Sequence, residues 1–333
     1  MSELPKLRRF EGRKALVTGG GGFLGKALVK QLLAEGAEVV TVQRQHYPEL
    51  AALGVAQFAF DISDPRIVNH VMFQGVTDIF HTAAKVEMWG NREDFYRINV
   101  IGTQNLLHAA KLHQVPRFIF TSSPSVIASG KNLQGVDEAV PYPDLFHAYY
   151  PETKAIAEQC VIAEGSADAL QTIVLRPHLI YGPGDTSLEA LIVKKAKAGR
   201  LVRVGAGSNL ADFCHIDDCV AAHLCAASTL AQNSKLSGRV YFISQGEPIP
   251  LWKWIDAVLL RHGLPPVKRQ VSAALAIKLG IFFEWLSKCT RGLIEPPFTR
   301  FLAEEMSTDH YFNITAARRD LGFQPITRDM FHW

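Results

Sequence analysis

Short apolar runs and stretches of helical periodicity alternate along the first half of the chain. The runs at 15–17 and 39–42 are rich in valine, and short runs of this kind are typical of strands buried on both faces. Between them Leu24, Leu28 and Leu32 recur at helical spacing. The segment therefore predicts a strand, a helix and a parallel strand within about 30 residues, the size that a right-handed crossover needs.

The same alternation continues as far as Pro177. It predicts further strands at 57–60, 78–81, 117–121 and 172–175, with helices that begin at Asp64-Pro65 and that span 94–113 and 150–164. Regular alternation of strand and helix predicts an α/β fold, with a doubly wound and mostly parallel sheet of the Rossmann type.

The pattern loosens after Pro177. Helices are predicted at 187–198, 217–231, 251–262 and 272–288, with short strands at 201–204 and 239–243. Since these pieces cannot form a second parallel sheet, they indicate a smaller C-terminal lobe. We expect a dinucleotide-binding domain at 13–177, with later segments interleaved, and a mainly substrate-binding lobe at 178–333. The residues before 13 are expected to form a short polar tail.

Composition narrows the functional classes. The 333 residues are 48% hydrophobic and 20% charged, which excludes a disordered chain. The formal net charge of +3 argues against nucleic acid as the main partner. The five cysteines form no CxxC pair, which favours reduced thiols and a cytoplasmic protein. We expect no signal peptide and no ordinary transmembrane helix.

A glycine-rich turn follows the first strand. Gly19, Gly22 and Gly25 stand in the pattern TGxxGxxG, with Phe23 and Leu24 opening the helix. Glycines let the backbone approach a pyrophosphate closely, and the helix N-terminus supplies amides and a positive dipole. The alternative is a merely tight turn, but the strand–turn–helix context favours a cofactor site.

The end of the second strand indicates which cofactor is bound. NAD enzymes normally carry an acidic residue about 20 positions beyond the glycines, where it binds the ribose hydroxyls. Here Gln43 and Arg44 occupy that place. A guanidinium pairs with a 2′-phosphate, so we expect NADP(H) to be favoured over NAD(H), with Arg44 at the phosphate. The alternative is a solvated surface arginine.

Two further motifs carry candidate chemistry. Tyr150 and Lys154 lie four residues apart, on one face of a predicted helix. A tyrosine hydroxyl has an ordinary pKa of about 10, and a nearby ammonium would lower that pKa toward neutrality. Ser122, Ser123 and Ser125 follow the strand 117–121, where hydroxyls point into the ligand crevice of an α/β sheet or serve the turn alone.

Taken in order, these motifs resemble the extended branch of the short-chain dehydrogenase/reductase superfamily, and within it the 3β-hydroxysteroid dehydrogenase-like group. The resemblance covers nearly the whole chain and includes the segments 61–62, 81–85, 99–103, 176–185 and 212–218. It implies an NAD(P)-dependent oxidoreductase with Ser123, Tyr150 and Lys154 as its catalytic residues. Ser125 is implied as a second hydrogen-bond donor, and Asn99 as a support of the active-site end of its helix.

The resemblance also implies a set of cofactor contacts. Asp61 and Ile62 would meet the adenine, and Pro177 the nicotinamide. The remaining implied contacts are Gly19, Gly22, Phe23, Leu24, Gly25, Arg44, Ala83, Ala84, Lys85, Ser122, Tyr150 and Lys154.

The second lobe is apolar and aromatic over 271–302, although Lys278 and Glu284 interrupt the run. This pattern indicates a hydrophobic substrate, with possible contact to a membrane surface, or simply the core packing of the lobe. The segments 43–50, 247–250 and 296–304 resemble bacterial reductases of 2-alkyl-3-oxoalkanoic acids in olefin biosynthesis. A 3β-hydroxysteroid or sterol-4-carboxylate 3-dehydrogenase is the alternative, followed by a sugar-nucleotide epimerase and a non-catalytic nucleotide sensor.

No metal site is expected. A sequence cluster of thiols and imidazoles matches no usual zinc spacing: Cys214, His215, Cys219, His223 and Cys225. The resemblance implies a homodimer formed through the helices at 94–113 and 150–164. Contact with a biosynthetic assembly is a hypothesis that follows from the insolubility of the expected substrate.

Overall fold

A computed structural model describes residues 8–290, 295–326 and 328–331. Its strands are β1 Lys14–Thr18, β2 Glu38–Gln43, β3 Ala56–Ala59, β4 Asp78–His81, β5 Arg117–Thr121, β6 Leu133–Val136, β7 Gln171–Pro177, β8 Ile180–Tyr181, β9 Arg203–Val204, β10 Leu210–Ala211, β11 Cys214–His215, β12 Arg239–Ile243, β13 Ile249–Pro250, β14 Gln270–Val271 and β15 His310–Phe312.

The α-helices of the described residues are α1 Phe23–Ala34, α2 Pro48–Ala52, α3 Arg92–Phe95, α4 Gly102–Leu112, α5 Tyr149–Glu164, α6 Leu188–Lys197, α7 Ile216–Gln232, α8 Leu251–Arg261, α9 Ala273–Cys289, α10 Arg300–Glu305 and α11 Thr315–Leu321.

Seven parallel strands form the central sheet, in the order β3-β2-β1-β4-β5-β7-β12. The chain moves outward from β1 in one direction and then, from β4, in the other. In sheets of this kind the ligand crevice opens beyond the carboxyl ends of the two strands where the order reverses. The prediction of a doubly wound parallel sheet is confirmed, and the crevice lies beyond β1 and β4.

Apolar layers cover both faces of the sheet. One layer joins α1, α7 and α11 to the sheet, and the other joins α4 and α5 to the opposite face. The inner strands β1, β4 and β5 are almost wholly buried, which explains why they are continuous apolar runs rather than alternating ones.

The second lobe has its own core around Trp252, Trp254, Phe213 and Tyr181. It contains the small sheet β13-β10-β15-β6 and two strand pairs, β11-β8 and β14-β9. Between parts of this lobe the chain returns to the central sheet, where β12 pairs with β7 over five residues, Arg239–Ile243. The lobe and the sheet are therefore interleaved along the sequence.

Several local predictions differ from the structure. The helix expected at Asp64-Pro65 is a short 3-10 turn, Pro65–Asn69, in which the Asp64 side chain accepts from the amide of Arg66. The strand expected at 201–204 is only Arg203–Val204. The end of the expected polar tail is folded, because Phe10 is fully buried in the same apolar cluster as residues of α1 and β1. Burial of the phenyl ring stabilises this packing although the neighbouring residues are polar.

The long helix expected at 94–113 is interrupted. It begins with α3, which is capped by Asn91, and it passes through one π-helical stretch at Tyr96–Ile101 before α4 begins. Such π stretches often occur at functional sites because they rotate the side chains that follow. Here the stretch contains Asn99.

Candidate functional site

The glycine turn after β1 is as tight as its sequence predicts. Gly19 has a φ of +68°, and its amide donates to the carbonyl of Val42 on the neighbouring strand at 2.8 Å. A Cβ on Gly25 would lie 2.2 Å from the carbonyl oxygen of Gly19, so a side chain there would force the turn open. Gly22 caps α1 without any side-chain hydrogen bond. The first amides of α1 therefore face the crevice and are available to an anion.

Thr18 ties the loop after β4 to the glycine turn. Its hydroxyl oxygen accepts from the amides of Thr82 and Ala83, at 3.1 and 3.0 Å. Its carbonyl accepts from the Thr82 hydroxyl at 2.7 Å, and its hydroxyl donates to Nδ1 of His81 at 2.8 Å. Because His81 is buried and lies near the charge of Lys154, its pKa is well below the usual value and its ring is neutral.

Asn99 connects that loop to α5. Its side chain accepts from the amide of Lys85 at 2.8 Å and donates to the carbonyl of the same residue at 3.1 Å. Its amide also donates to the hydroxyl of Thr153, which precedes Lys154 on α5. The π-helical stretch thus places one buried amide where it holds the loop 83–85 and the helix of Tyr150 together.

Tyr150 lies in the first turn of α5, beside the serines that follow β5. Burial raises the pKa of its hydroxyl, and hydrogen bonding to Ser123 and Ser125 lowers it, with burial the stronger effect. The Ser125 hydroxyl also donates to the Ser123 hydroxyl at 3.0 Å. The structure therefore brings Ser123, Ser125 and Tyr150 together at the carboxyl end of β5.

Lys154 is buried one turn further along α5. Its Nζ donates to the carbonyl of Thr121 at 2.6 Å and lies 4.0 Å from the centre of the Phe120 ring. Burial lowers the pKa of Lys154 to about 7, against an opposing effect of the Glu158 carboxylate. The sequence suggested that this ammonium would lower the pKa of Tyr150. In the structure the two serine hydroxyls oppose the rise in that pKa, and burial outweighs them.

A buried cluster behind Lys154 was not predicted as a group. Arg176 at the end of β7 forms an ion pair with Glu158, and the Tyr142 hydroxyl donates to the same carboxylate at 2.7 Å. The spacing was the only available signal, since Tyr150, Lys154 and Glu158 follow one another at intervals of four on α5. The cluster fixes α5 against the strand that ends at Pro177.

The crevice continues beside the carboxyl ends of β2 and β3. Gln43 is buried, and its Nε2 donates to Gln57 at 3.1 Å, while its Oε1 has no partner among the described residues. A Cβ on Gly20 would lie 3.3 Å from that oxygen, so it faces the glycine turn. Arg44 is exposed beside it. This part of the crevice therefore presents the Oε1 acceptor of Gln43 and the exposed guanidinium of Arg44.

Asp61 and Ile62 close the same part of the crevice from the side of β3. The carboxylate of Asp61 accepts from the Ser63 hydroxyl at 2.7 Å and from Arg97 at 2.8 Å. Burial opposes ionisation, but these hydrogen bonds hold the pKa of Asp61 below its usual value. Ile62 is buried against Gly102, where a Cβ would come within 2.7 Å of its side chain.

The Tyr47 ring covers the glycine turn. A Cβ on Gly21 would lie 2.0 Å from the ring, so only glycine fits beneath it. Lys26 on α1 lies 5.6 Å from the centre of the ring. Sequence reasoning did not single out Tyr47, because its contact with Gly21 joins two separate turns.

Two buried polar atoms without partners in the described ranges indicate that this crevice binds a dinucleotide. The buried hydroxyl of Ser122, like Oε1 of Gln43, has no hydrogen-bond partner within the part of the chain that the structure describes. Unpaired buried polar atoms are costly, and each gains a partner if a polar ligand lies along the carboxyl ends of the strands. Pro177 is buried at the same edge of the sheet. A nicotinamide dinucleotide carries polar groups along this whole path and would supply or accept a hydride there.

A cavity of about 130 Å³ lies beside the first turn of α5. Its wall combines apolar and charged groups: Met88, Trp89, Phe95, Phe146, His147, Ala148, Tyr149, Glu152, Glu284 and Lys288. Tyr149, which lines the cavity, is the residue before Tyr150 in the first turn of α5. The cavity also reaches α9, which carries Glu284 and Lys288.

Histidines bridge the lobe and the sheet just beyond Pro177. His178 is buried and lies 2.6 Å from Asp212 through Nδ1 and 3.1 Å from His310 through Nε2. Burial and the nearby His178 lower the pKa of His310 to about 4. These side chains hold β10 and β15 against the end of β7.

The thiol and imidazole cluster noted in the sequence is structural. His223 lies 2.8 Å from the Thr121 hydroxyl and 2.7 Å from the carbonyl of Cys219. Within residues 8–290, 295–326 and 328–331, no group of three or more His, Cys, Asp and Glu side chains is arranged to hold a metal ion. In the same residues no helix is both long and apolar enough to cross a membrane.

Comparison with known proteins places these features in a family. The sequence profile of the 3-beta hydroxysteroid dehydrogenase/isomerase family matches residues 16–272. A relative named 2-alkyl-3-oxoalkanoate reductase, from Stenotrophomonas maltophilia, is 43% identical over 315 residues, which are 94% of each chain. A 3-beta-hydroxysteroid dehydrogenase from Mycolicibacterium neoaurum is 33% identical over 330 residues, 97% of this chain and 89% of the relative.

The fold is also found among solved structures. The structure of MoeE5 in complex with UDP-glucose and NAD superposes with a TM-score of 0.71 and 25% identity, over 95% of each chain. That protein binds NAD on the same fold.

Proposed function

The chain belongs to the 3-beta hydroxysteroid dehydrogenase/isomerase family of NAD(P)-dependent oxidoreductases, which act on alcohol or keto groups, and we propose that it reduces the 3-keto group of a long-chain 2-alkyl-3-oxoalkanoic acid with NADPH. The observation that carries this proposal is the meeting of Tyr150, Ser123 and Ser125 at the carboxyl end of β5. The product is the 2-alkyl-3-hydroxyalkanoic acid, an intermediate suited to olefin biosynthesis.

Each proposed catalytic residue has one task. When it is bound, NADPH would supply the hydride. Tyr150 donates its hydroxyl proton to the oxygen of the ketone as negative charge develops there. Ser123 holds that oxygen, with Ser125 as a second donor, and Lys154 holds the nicotinamide ribose. Most of the rate acceleration then comes from positioning and from stabilisation of the oxyanion.

The preference for NADPH rests on Gln43 and Arg44. A carboxylate at position 43 would repel a 2′-phosphate, and the amide found there does not. Arg44 is exposed next to it, where its guanidinium can form two hydrogen bonds to a phosphate. The remaining proposed cofactor contacts are those given by the family resemblance, from the glycine turn to Pro177.

A hydrophobic substrate is supported by the lining of the cavity and by the relatives. Half of the ten residues that line the cavity are methionine, tryptophan, phenylalanine or tyrosine. The Stenotrophomonas relative is named for a 2-alkyl-3-oxoalkanoate, a branched acid with two alkyl chains. The 33% identity to a hydroxysteroid dehydrogenase keeps a sterol-type alcohol as the second candidate substrate.

The deciding experiment measures turnover in the oxidative direction. A racemic 2-alkyl-3-hydroxyalkanoic acid and a 3β-hydroxysteroid are each offered with NADP and with NAD, and formation of the reduced nicotinamide is followed by absorbance. We expect turnover of the hydroxy acid with NADP, and a loss of at least about a hundredfold in Tyr150→Phe, which keeps the ring and removes the proton. Turnover of the steroid alone would refute the proposed substrate.

Cofactor choice is tested separately in Arg44→Ala. We expect kcat/KM with NADP to fall by about ten- to a hundredfold while kcat/KM with NAD hardly changes, because only NADP carries the 2′-phosphate. Lys30→Ala, an exposed cation on α1, is the control. Equal losses with both cofactors in Arg44→Ala would show that Arg44 does not read the phosphate.

A further inference from the structure

The first turn of α5, which carries Tyr150, has no side-chain cap. Ala148 precedes the helix and forms no side-chain hydrogen bond to its first amides. An ion pair between Arg92 and Glu152 ties this turn to α3, but the Arg92 side chain is 52% exposed, and exposed pairs contribute little to stability. A buried contact from the second lobe holds this turn as well.

That contact joins His147 to α10. Nδ1 of His147, three residues before Tyr150, lies 2.7 Å from Oε2 of Glu304. Because a carboxylate only accepts hydrogen bonds, the imidazole ring is the donor. The side chains of His147 and Glu304 are only 13% and 6% exposed, so water competes little for this hydrogen bond. The second lobe therefore holds the chain at the point where it enters α5.

The same carboxylate touches the loop that follows the serines. Gly130 lies five residues beyond Ser125 and has a φ of +75°. A Cβ on Gly130 would lie 2.9 Å from Cδ of Glu304 and 3.0 and 3.2 Å from its two oxygens, so the loop packs directly on the carboxylate. One side chain of the lobe thus contacts both of the segments that bring Tyr150 and Ser125 together.

Glu304 is itself fixed within the lobe. Its Oε1 accepts from Nε of Arg300, one turn earlier on α10, at 2.8 Å. The backbone amide of Arg300 donates to Glu284 of α9 at 2.7 Å, and a Cβ on Gly280 would lie 2.5 Å from the same nitrogen. Since α9 and α10 are packed this closely and both oxygens of Glu304 have partners, the carboxylate is a fixed point to which the entry of α5 is attached.

We propose that Glu304 is a positioning residue, which acts through His147 and the serine loop to set the hydroxyl of Tyr150 in its reacting place. This role rests on the proposed function, since it requires Tyr150 to be the proton donor. A displacement of about 1 Å at a reacting group can cost about a hundredfold in rate, so loss of the contact should lower kcat. The KM for NADP should hardly change, because the glycine turn follows β1 and is not part of α5.

The contact is tested with His147→Leu, which removes the donor, and with His147→Asn, whose amide nitrogen can take the place of Nδ1. We expect kcat for the hydroxy acid with NADP to fall by about ten- to a hundredfold in His147→Leu and to be largely kept in His147→Asn. Glu304→Ala should lose at least as much as His147→Leu, and the double variant no more than Glu304→Ala alone. Arg203→Leu, which breaks an ion pair between β9 and α8 within the lobe, is the matched control and should keep its kcat.

A second measurement needs no substrate. Amide hydrogen exchange in peptides that cover 147–156 should become faster by about tenfold in His147→Leu, and stay as in the wild type in His147→Asn and Arg203→Leu. If exchange changes in this way but the wild type turns over no hydroxy acid, the proposed substrate fails while the contact stands, and kcat is then compared with the steroid. Unchanged exchange in His147→Leu, or a kcat that falls equally in His147→Leu and Arg203→Leu, would overturn the proposal. Lower stability with an unchanged kcat would show that the pair is merely structural, and the proposal would be wrong.

Discussion

The buried ammonium of Lys154 makes the stability of the protein depend on pH in a way that the structure predicts. The pKa of Lys154 falls from 10.5 to about 7 because burial disfavours its charge. Between those two values the unfolded chain binds a proton that the folded chain does not, so the free energy of unfolding rises with pH. Below about pH 7 both states carry the proton, and the full cost of burying the charge is present.

The size of the effect follows from the shift. At about 1.4 kcal/mol per pKa unit, a shift of about 3.5 units corresponds to about 5 kcal/mol at low pH. Lys154→Met removes this cost, and it also removes the hydrogen bond to the carbonyl of Thr121, worth about 1–2 kcal/mol at every pH. The variant should therefore be more stable than the wild type by about 3 kcal/mol near pH 6, and by little near pH 9.

Urea unfolding at about pH 6 and about pH 9 measures this difference, with the free energies of unfolding compared between variant and wild type. Lys30→Met, on the exposed face of α1, is the matched control and should show no such dependence. The variant should also lose most of its activity, since Lys154 is the proposed ribose ligand. A difference in stability that is equal at both pH values would refute the idea that Lys154 is held with a lowered pKa.

Two further variants test the frame of the site. Gly21→Ala should weaken cofactor binding by about tenfold or more, because its methyl group displaces the Tyr47 ring. Adding Tyr47→Ala to the same chain should restore binding. Titration with NADPH measures both affinities, and binding that stays weak in the double variant would contradict this explanation. Asn99→Ala should lower the free energy of unfolding by about 1–3 kcal/mol and raise KM for the cofactor, since Lys85 and Thr153 lose their shared partner. Urea unfolding measures the first quantity and steady-state kinetics the second. If neither changes, Asn99 does not bridge the loop and α5.

The glycine turn and the parallel sheet could be predicted because their signals are local. Gly19 has a positive φ, and Cβ atoms on Gly22 and Gly25 would crowd the carbonyl oxygen of Gly19. The inner strands are apolar runs whose burial follows from their own sequence. The alternation of strands and helices along the chain then predicts a parallel sheet, since parallel neighbours are joined by a crossover that usually contains a helix. The site residues lie at the edge of the sheet where that topology places them.

The contacts that could not be predicted join segments distant in sequence. Lys154 was expected to act on Tyr150, but its ammonium is held by the Thr121 carbonyl at the end of β5. No residue type in Tyr96–Ile101 predicts a π-helical stretch. Its role is visible only in the structure, where it places Asn99 between the loop after β4 and α5. Tyr47 over Gly21 is a contact of the same kind.

The late return of β12 to the central sheet has a consequence for synthesis of the chain. The strand occupies one edge of the sheet and covers β7, yet it is made only after α6 and α7. Until residue 243 has left the ribosome, β7 is a bare edge whose amides and carbonyls can pair with another nascent chain. A domain whose sheet is complete early in the sequence can fold as it emerges from the ribosome, but the central sheet of this protein is incomplete until β12 has been synthesised. Cells that make it at high rates would therefore depend on chaperones to cover β7, and a fragment that ends at 177 should aggregate.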